Sequence, residues 1–157
     1  MKIIRLVFLI WSPLLGLSLF ADWNPVHYAP KPDEEIYGTW TNDKEYNLIG
    51  FQKTVISADG WKNYTNITDS VPMEEGTSQI ESKWTDSDGN IWYKSFGIAN
   101  GRGFKNAKVQ SLTRISKSGT VLEVVARPAL SKFDSDKYPT MIDPNDPNYA
   151  IYYRASN

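Results

Sequence analysis

The chain has 157 residues, no cysteine, one histidine and a formal net charge of −1. That length fits one ordinary domain, and the missing thiols exclude a disulfide framework. The slight acidity argues against a nucleic-acid partner, which calls for a basic face.

The first residues, MKIIRLVFLIWSPLLGLSLFA, have the layout of a secretory signal. Lys2 and Arg5 precede an apolar stretch from Ile3 to Phe20, and Ala21 is a small residue at a cleavage site. Residues 1–21 are therefore predicted to be removed, with cleavage after Ser18, behind Gly16, as the alternative. The stretch is nearly long enough for a membrane span, but Pro13 and Gly16 interrupt it and no basic cluster follows, so no stable membrane anchor is expected. Without a cysteine near position 21, lipid attachment has no acceptor. Losing residues 1–21 removes two basic residues and leaves 15 basic against 18 acidic, a charge of −3. The expected location is outside the cytoplasm, in a periplasm or secreted. Asn63-Tyr-Thr and Asn66-Ile-Thr are glycosylation sequons, relevant only in a eukaryotic source.

Residues 22–35, DWNPVHYAPKPDEE, hold three prolines and no periodicity, and read as an exposed leader to a β domain over 36–155. From there, Thr, Val, Ile, Tyr, Trp and Phe dominate short runs between turn signals. The runs fall at 36–41, 50–58, 61–69, 77–86, 91–98, 108–116, 120–127 and 149–155. Asp59-Gly60, Asp88-Gly89 and Ser118-Gly119 mark tight hairpins, because glycine accepts the positive φ such turns need. About eight short antiparallel strands in one small domain predict an all-β, up-and-down barrel.

In the hairpin TSQIESKWTDSDGNIWYKSFGI, a two-residue Asp88-Gly89 turn would set Lys83 opposite Lys94, an unfavourable pair. A three-residue Ser87-Asp88-Gly89 loop instead sets Trp84 opposite Trp92, Ile80 opposite Phe96 and Glu81 opposite Ser95. Ile80, Trp84, Trp92, Phe96 and Ile98 then share one face with Ser82 and Lys94, while Gln79, Glu81 and Lys83 face the other way. With the apolar face inside, Ser82, Trp84, Trp92, Lys94 and Phe96 are the candidate ligand-binding residues. A lysine there must find a partner, reach solvent at the mouth or meet an anionic ligand group.

Two longer connections follow. Residues 97–107, GIANGRGFKNA, read as a mobile loop made basic by Arg102 and Lys105. Residues 128–148 hold four prolines and read either as a segment packing Phe133, Tyr138 and Met141 over one barrel end or as a binding lid.

Catalytic apparatus is sparse. His27 sits in the proline-rich leader, a poor platform for a general base, and zinc would want several His or Cys ligands. Glu34-Glu35 and Glu74-Glu75 are adjacent in sequence, so their side chains diverge, and solvated surface is the expected role. Asp86-Ser-Asp88-Gly-Asn90 resembles part of a calcium loop, but its glycine comes too early and no glutamate stands at the twelfth position, which favours a hairpin turn. Asp143 and Asp146 suit either turn capping or a calcium site. No enzyme, metal or cofactor is expected.

Gly38-x-Trp40 at the start of an eight-strand pattern resembles the opening motif of the lipocalins and the wider calycin group. The resemblance implies that Trp40 packs at a closed barrel end and that a last-strand arginine, Arg154 in YAIYYRAS, lies across its face as a structural cation–π contact. The lipocalin Thr-Asp-Tyr turn motif is missing, the matching hairpin reading RISKSGTV, and no helix follows the last strand. YGTWTN is also similar to the first strand of avidin-type barrels. These features lead to the expectation of an exported, non-catalytic barrel binding a small, largely apolar molecule with an anionic head. The alternative is an envelope-associated interaction or inhibitor module whose barrel is filled by its own side chains.

Overall fold

The structure, a computed structural model, describes residues 28–43, 50–101, 103–129 and 138–156. Residues 1–21, expected to be a signal segment, and His27 lie outside the described residues. Eight strands succeed one another: β1 (Gly38–Thr41), β2 (Lys53–Ser57), β3 (Gly60–Tyr64), β4 (Glu74–Thr85), β5 (Ile91–Gly101), β6 (Phe104–Ile115), β7 (Val121–Pro128) and β8 (Tyr149–Arg154). Each pairs antiparallel with its sequence neighbours, and β8 returns to β1, so the sheet closes on itself. The eight-stranded antiparallel up-and-down barrel expected from the strand pattern is the fold.

The seam between β1 and β8 is short. Trp40 pairs with Arg154 and Thr41 with Tyr153. Trp40 is fully buried, donates its indole N–H to the Ile36 carbonyl at 2.9 Å, and carries the Arg154 guanidinium 4.1 Å from its ring centroid. The same guanidinium donates to the carbonyls of Gly119 at 2.8 Å and Tyr37 at 3.2 Å, and to that of Glu35. One side chain thus ties the last strand, the β6–β7 turn and the segment leading into β1. Gly38 has φ of 132°, and a Cβ there would stand 3.1 Å from the Arg154 guanidinium. The glycine of the Gly-x-Trp motif therefore answers both to its backbone conformation and to the arginine.

The hairpin loop at 87–89 forms as expected. The Asp86 amide donates to the Asn90 carbonyl at 3.0 Å, Gly89 takes φ of 87°, and Trp84 stands opposite Trp92. Asp86 accepts from the amides of Asp88 and Asn90, the Asn90 side chain and the Trp92 indole at 2.8–3.0 Å, a turn-stabilising role. Asp143 and Asp146 likewise cap turns, accepting from the Asn145 and Asn148 amides at 2.9 and 2.8 Å.

Beyond Ser82 the expected register is overturned. The pairing slips at Glu81, so Ile80 faces Ser95 and Gln79 faces Phe96. One extra residue in a strand reverses the facing of everything beyond it. The interior positions of β5 are Tyr93, Ser95, Gly97 and Ala99, all buried, and Trp92, Lys94, Phe96 and Ile98 point outward. Residues 97–107 are not a loop either: β5 runs to Gly101 and β6 begins at Phe104, a long hairpin whose inward positions are small. Arg102 lies outside the described residues.

The outer face explains why apolar residues stand on it. Tyr138 is 8% exposed and Pro139 is fully buried against the outside of the barrel, with the Lys94 ammonium 5.6 Å from the Tyr138 ring and the Tyr138 hydroxyl donating to Glu81. Gln110, Leu112 and Val125 are buried although they face away from the barrel axis, with Gln110 hydrogen-bonded to Tyr138 and Leu112 beside Pro139. The part of the 128–148 connection at Tyr138 and Pro139 therefore lies against a side wall and not over a barrel end, and Met141 remains exposed; Phe133 lies outside the described residues. Elsewhere the outer face carries Lys62, Glu75, Arg114 and Glu123, the reverse of the apolar belt that surrounds a membrane-spanning barrel.

Trp40→Ala is expected to cost about 3–5 kcal/mol, as for a buried aromatic, and Arg154→Ala less. In urea denaturation the double variant should fall short of the summed losses; strict additivity would show that the two side chains act independently.

Candidate functional site

The barrel interior is graded from end to end. At one end Ile36, Trp40, Ile80, Tyr93, Ile115, Leu122, Ala150 and Tyr152 form a packed core. Toward the other, interior positions fall to Gly76, Ser78, Ser95, Gly97, Ala99, Ala107, Ser111 and Ala126. Strand spacing keeps the wall-to-wall distance set by strand number, so small side chains leave space that large ones would fill. The result is a cavity of about 410 Å³, within the range of small-molecule sites. Its deeper wall includes Ile56, Leu122, Val124 and Tyr152, and its mouth includes Phe51, Phe104, Pro128 and Asn148. Trp61, Thr54, Asn63 and Glu74 complete one side.

Glu74 was expected on solvated surface with Glu75. It lines the cavity instead, opposite Asn63 of β3 and Gly101 of β5. Burial raises its pKa, opposed by a hydrogen bond from the Asn63 side chain.

None of the expected ligand-binding residues lines this cavity. Ser82, Trp84, Trp92 and Lys94 do come together, but around a shallow groove outside the barrel with Asp86, Leu112, Pro139 and Thr140. Phe96 faces outward as well. The interior placement of Lys94, and with it the reason for an anionic ligand head, is overturned. There the tryptophans are structural neighbours: Trp84 and Trp92 stack with centroids 5.8 Å apart, and Arg114 lies 5.4 Å from the Trp92 ring and pairs with Glu123 at 2.5 Å. Trp84, Trp92, Arg114 and Glu123 are consecutive partners across β4 to β7, a ladder of cross-strand contacts.

The closed end holds a cluster of ionisable groups. Lys83, expected on the outward polar face, points inward and meets Glu34 at 2.8 Å and Glu35 at 2.5 Å. Tyr93 donates to the same two carboxylates at 3.2 and 2.9 Å, and Tyr28 donates to Glu34. Glu34 is 3% exposed, so this part of the proline-rich segment is a plug and not a solvated leader. Burial pushes the Glu34 carboxyl up, but the Lys31 amide, the Lys83 ammonium and the Tyr28 hydroxyl outweigh it and hold the pKa down at about 2. Burial drives the Lys83 pKa down, and the two carboxylates more than reverse it, leaving it raised. The charged side chains of the cluster pair with one another, an arrangement suited to locking the plug.

Among the described residues no three His, Cys, Asp or Glu side chains converge to hold a metal ion. No family model, curated protein or solved structure matches the chain. Its cavity and its fold are therefore the grounds for a functional reading.

Two readings of sequence could have found the cavity. The inward run Gly97-x-Ala99 and the serines at 78, 95 and 111 are small residues at strand spacing, and Glu74 stands where β4 begins. Neither pattern is distinctive without the register.

A carboxyl held below its ordinary value stabilises the fold above the unfolded pKa of 4.5 and loses that contribution as pH falls toward 2. Acid unfolding should therefore steepen in this window. Glu34→Gln, which leaves Lys83 partly unpaired, should destabilise at pH 7 by about 3 kcal/mol and flatten the acid limb; an unchanged limb would show that Glu34 is not the titrating group.

Proposed function

We propose that this protein is an exported, lipocalin-like carrier that binds a small, largely apolar molecule inside its barrel, without catalysis and without a cofactor. The observation that carries the reading is the open, mostly apolar cavity of about 410 Å³, made by small residues on the inner wall. A barrel whose only task was to present its surface gains stability from filling that space, because an unfilled void forfeits dispersion contacts. The alternative of a filled-barrel interaction module draws no support from it. The Trp40–Arg154 stack and the Gly38 conformation support the lipocalin likeness. The layout of residues 1–21 supports export.

The ligand's polar part is set by Glu74, not Lys94. A neutral or hydrogen-bond-donating group suits the cavity wall better than an anion.

The neutral polarity-sensitive dye N-phenyl-1-naphthylamine should brighten on binding with micromolar affinity, on the order of −8 kcal/mol. Filling the cavity with Ser111→Leu and Ala126→Leu together should weaken the dye at least about tenfold, or 1.4 kcal/mol, with the melting temperature unchanged or higher. Dye binding that survives this filling would place the site elsewhere, and the carrier reading would fail.

A further inference from the structure

Among the described residues, Glu74 is the one acidic side chain lining the cavity. It pairs in register with Asn63, whose amide bonds its side chain. A carboxylate offers about four acceptor positions, so the amide leaves most of them unused. Among the described residues no lysine or arginine forms a salt bridge with it. The two cations at the cavity's edge, Lys108 and Arg127, are exposed at outward-facing positions of β6 and β7, and Arg127 is held by Asp146. An ionised carboxylate in mostly apolar surroundings without a counter-ion is costly. Burial accordingly raises its pKa.

Position adds direction. Glu74 opens β4 and sits opposite Gly101 at the far end of β5, close to the mouth, whereas Ile56, Leu122 and Val124 lie deeper. Trp61 and Phe104 flank the mouth half with aromatic rings, and such rings attract cations as well as apolar bodies.

From this arrangement we infer that the cavity selects organic cations: apolar amines that seat a hydrocarbon or aryl body in the depth of the barrel and an ammonium group on the Glu74 carboxylate. This rests on the carrier reading above and names its ligand class. Entering body first, such a ligand loses water mainly from its apolar part, and its ammonium meets the Glu74 carboxylate, with which no described lysine or arginine forms a salt bridge. A carboxylate ligand of the same shape would set like charges together, and a neutral alcohol would gain only an ordinary hydrogen bond. Charge-assisted hydrogen bonds are roughly twice as strong as neutral ones.

The test uses the full chain, with the neutral dye N-phenyl-1-naphthylamine as a report on the cavity. Displacement of the dye, checked by titration calorimetry, is measured for 2-phenylethylamine, 2-phenylethanol and 3-phenylpropionate at pH 7. The amine should bind at least about tenfold tighter than the alcohol, as a net charge-assisted contact allows, and the propionate weakest. In Glu74→Gln the amine should lose that advantage while alcohol and dye bind as before, which also shows that the variant is folded. Glu74→Asp, which keeps the charge on a shorter arm, should retain part of the preference. An amine no tighter than the alcohol in the wild type, or an amine preference untouched in Glu74→Gln, overturns the inference and leaves the carrier reading standing if the dye binds. Failure of the dye to bind at all overturns both.

Discussion

The barrel depends on one contact at its seam. An up-and-down sheet becomes a barrel only when its first and last strands join, and here that joint is a mere two register pairs long. A ladder so short contributes few backbone hydrogen bonds, so side chains must hold it. Trp40 brings a large buried surface and Arg154 covers its face. The guanidinium then spends its donors on three carbonyls from two segments, the β6–β7 turn and the approach to β1, which a lysine with one compact charge would not match in geometry. The closed end is organised around this pair.

Closing one end frees the other. The packed core and the Glu34–Glu35–Lys83–Tyr93 cluster lie on the same side of the barrel, where the plug from residues 28–36 shuts it. Burying an ion pair gains little over an apolar packing of the same shape, but it penalises any alternative seating of the plug that leaves a charge unpaired. With stability concentrated there, the mouth half can keep glycine, alanine and serine inside without losing the fold. The cavity is thus the counterpart of a strongly fastened base, and its position at the mouth end follows from where the large residues are.

The strap at 138–140 gives the molecule a second layer on one side only. Leu112 and Val125 are buried on what is formally the outside of the sheet, and Leu112 lies beside Pro139 of the strap. In this sector the sheet is apolar on both faces, one turned to the cavity and core, the other to the strap. Such two-sided burial erases the simple alternation that usually tells inside from outside.

Sequence alone determined the features that reside in neighbouring residues. Strand number, the tight hairpins and the 87–89 loop followed from alternation and from glycine's tolerance of positive φ, which are local properties. The Trp40–Arg154 stack was also legible, but through the resemblance to a known barrel motif. Tertiary structure decided which face of each strand looks inward. One extra residue at Glu81 reversed the facing of the rest of β4, and nothing local to that residue announces it. Trp84, Trp92 and Phe96 looked like interior residues because they are large and apolar, yet all three face outward, with Pro139 and Thr140 beside the two tryptophans, while beyond Tyr93 the true interior of β5 is small. Lys83 looked like a surface residue because its partners, Glu34 and Glu35, lie far back in the chain. Glu74 looked like half of a solvated acidic pair until register placed it over the cavity. Burial is a property of what comes to lie against a residue, and that is settled only when the sheet has closed.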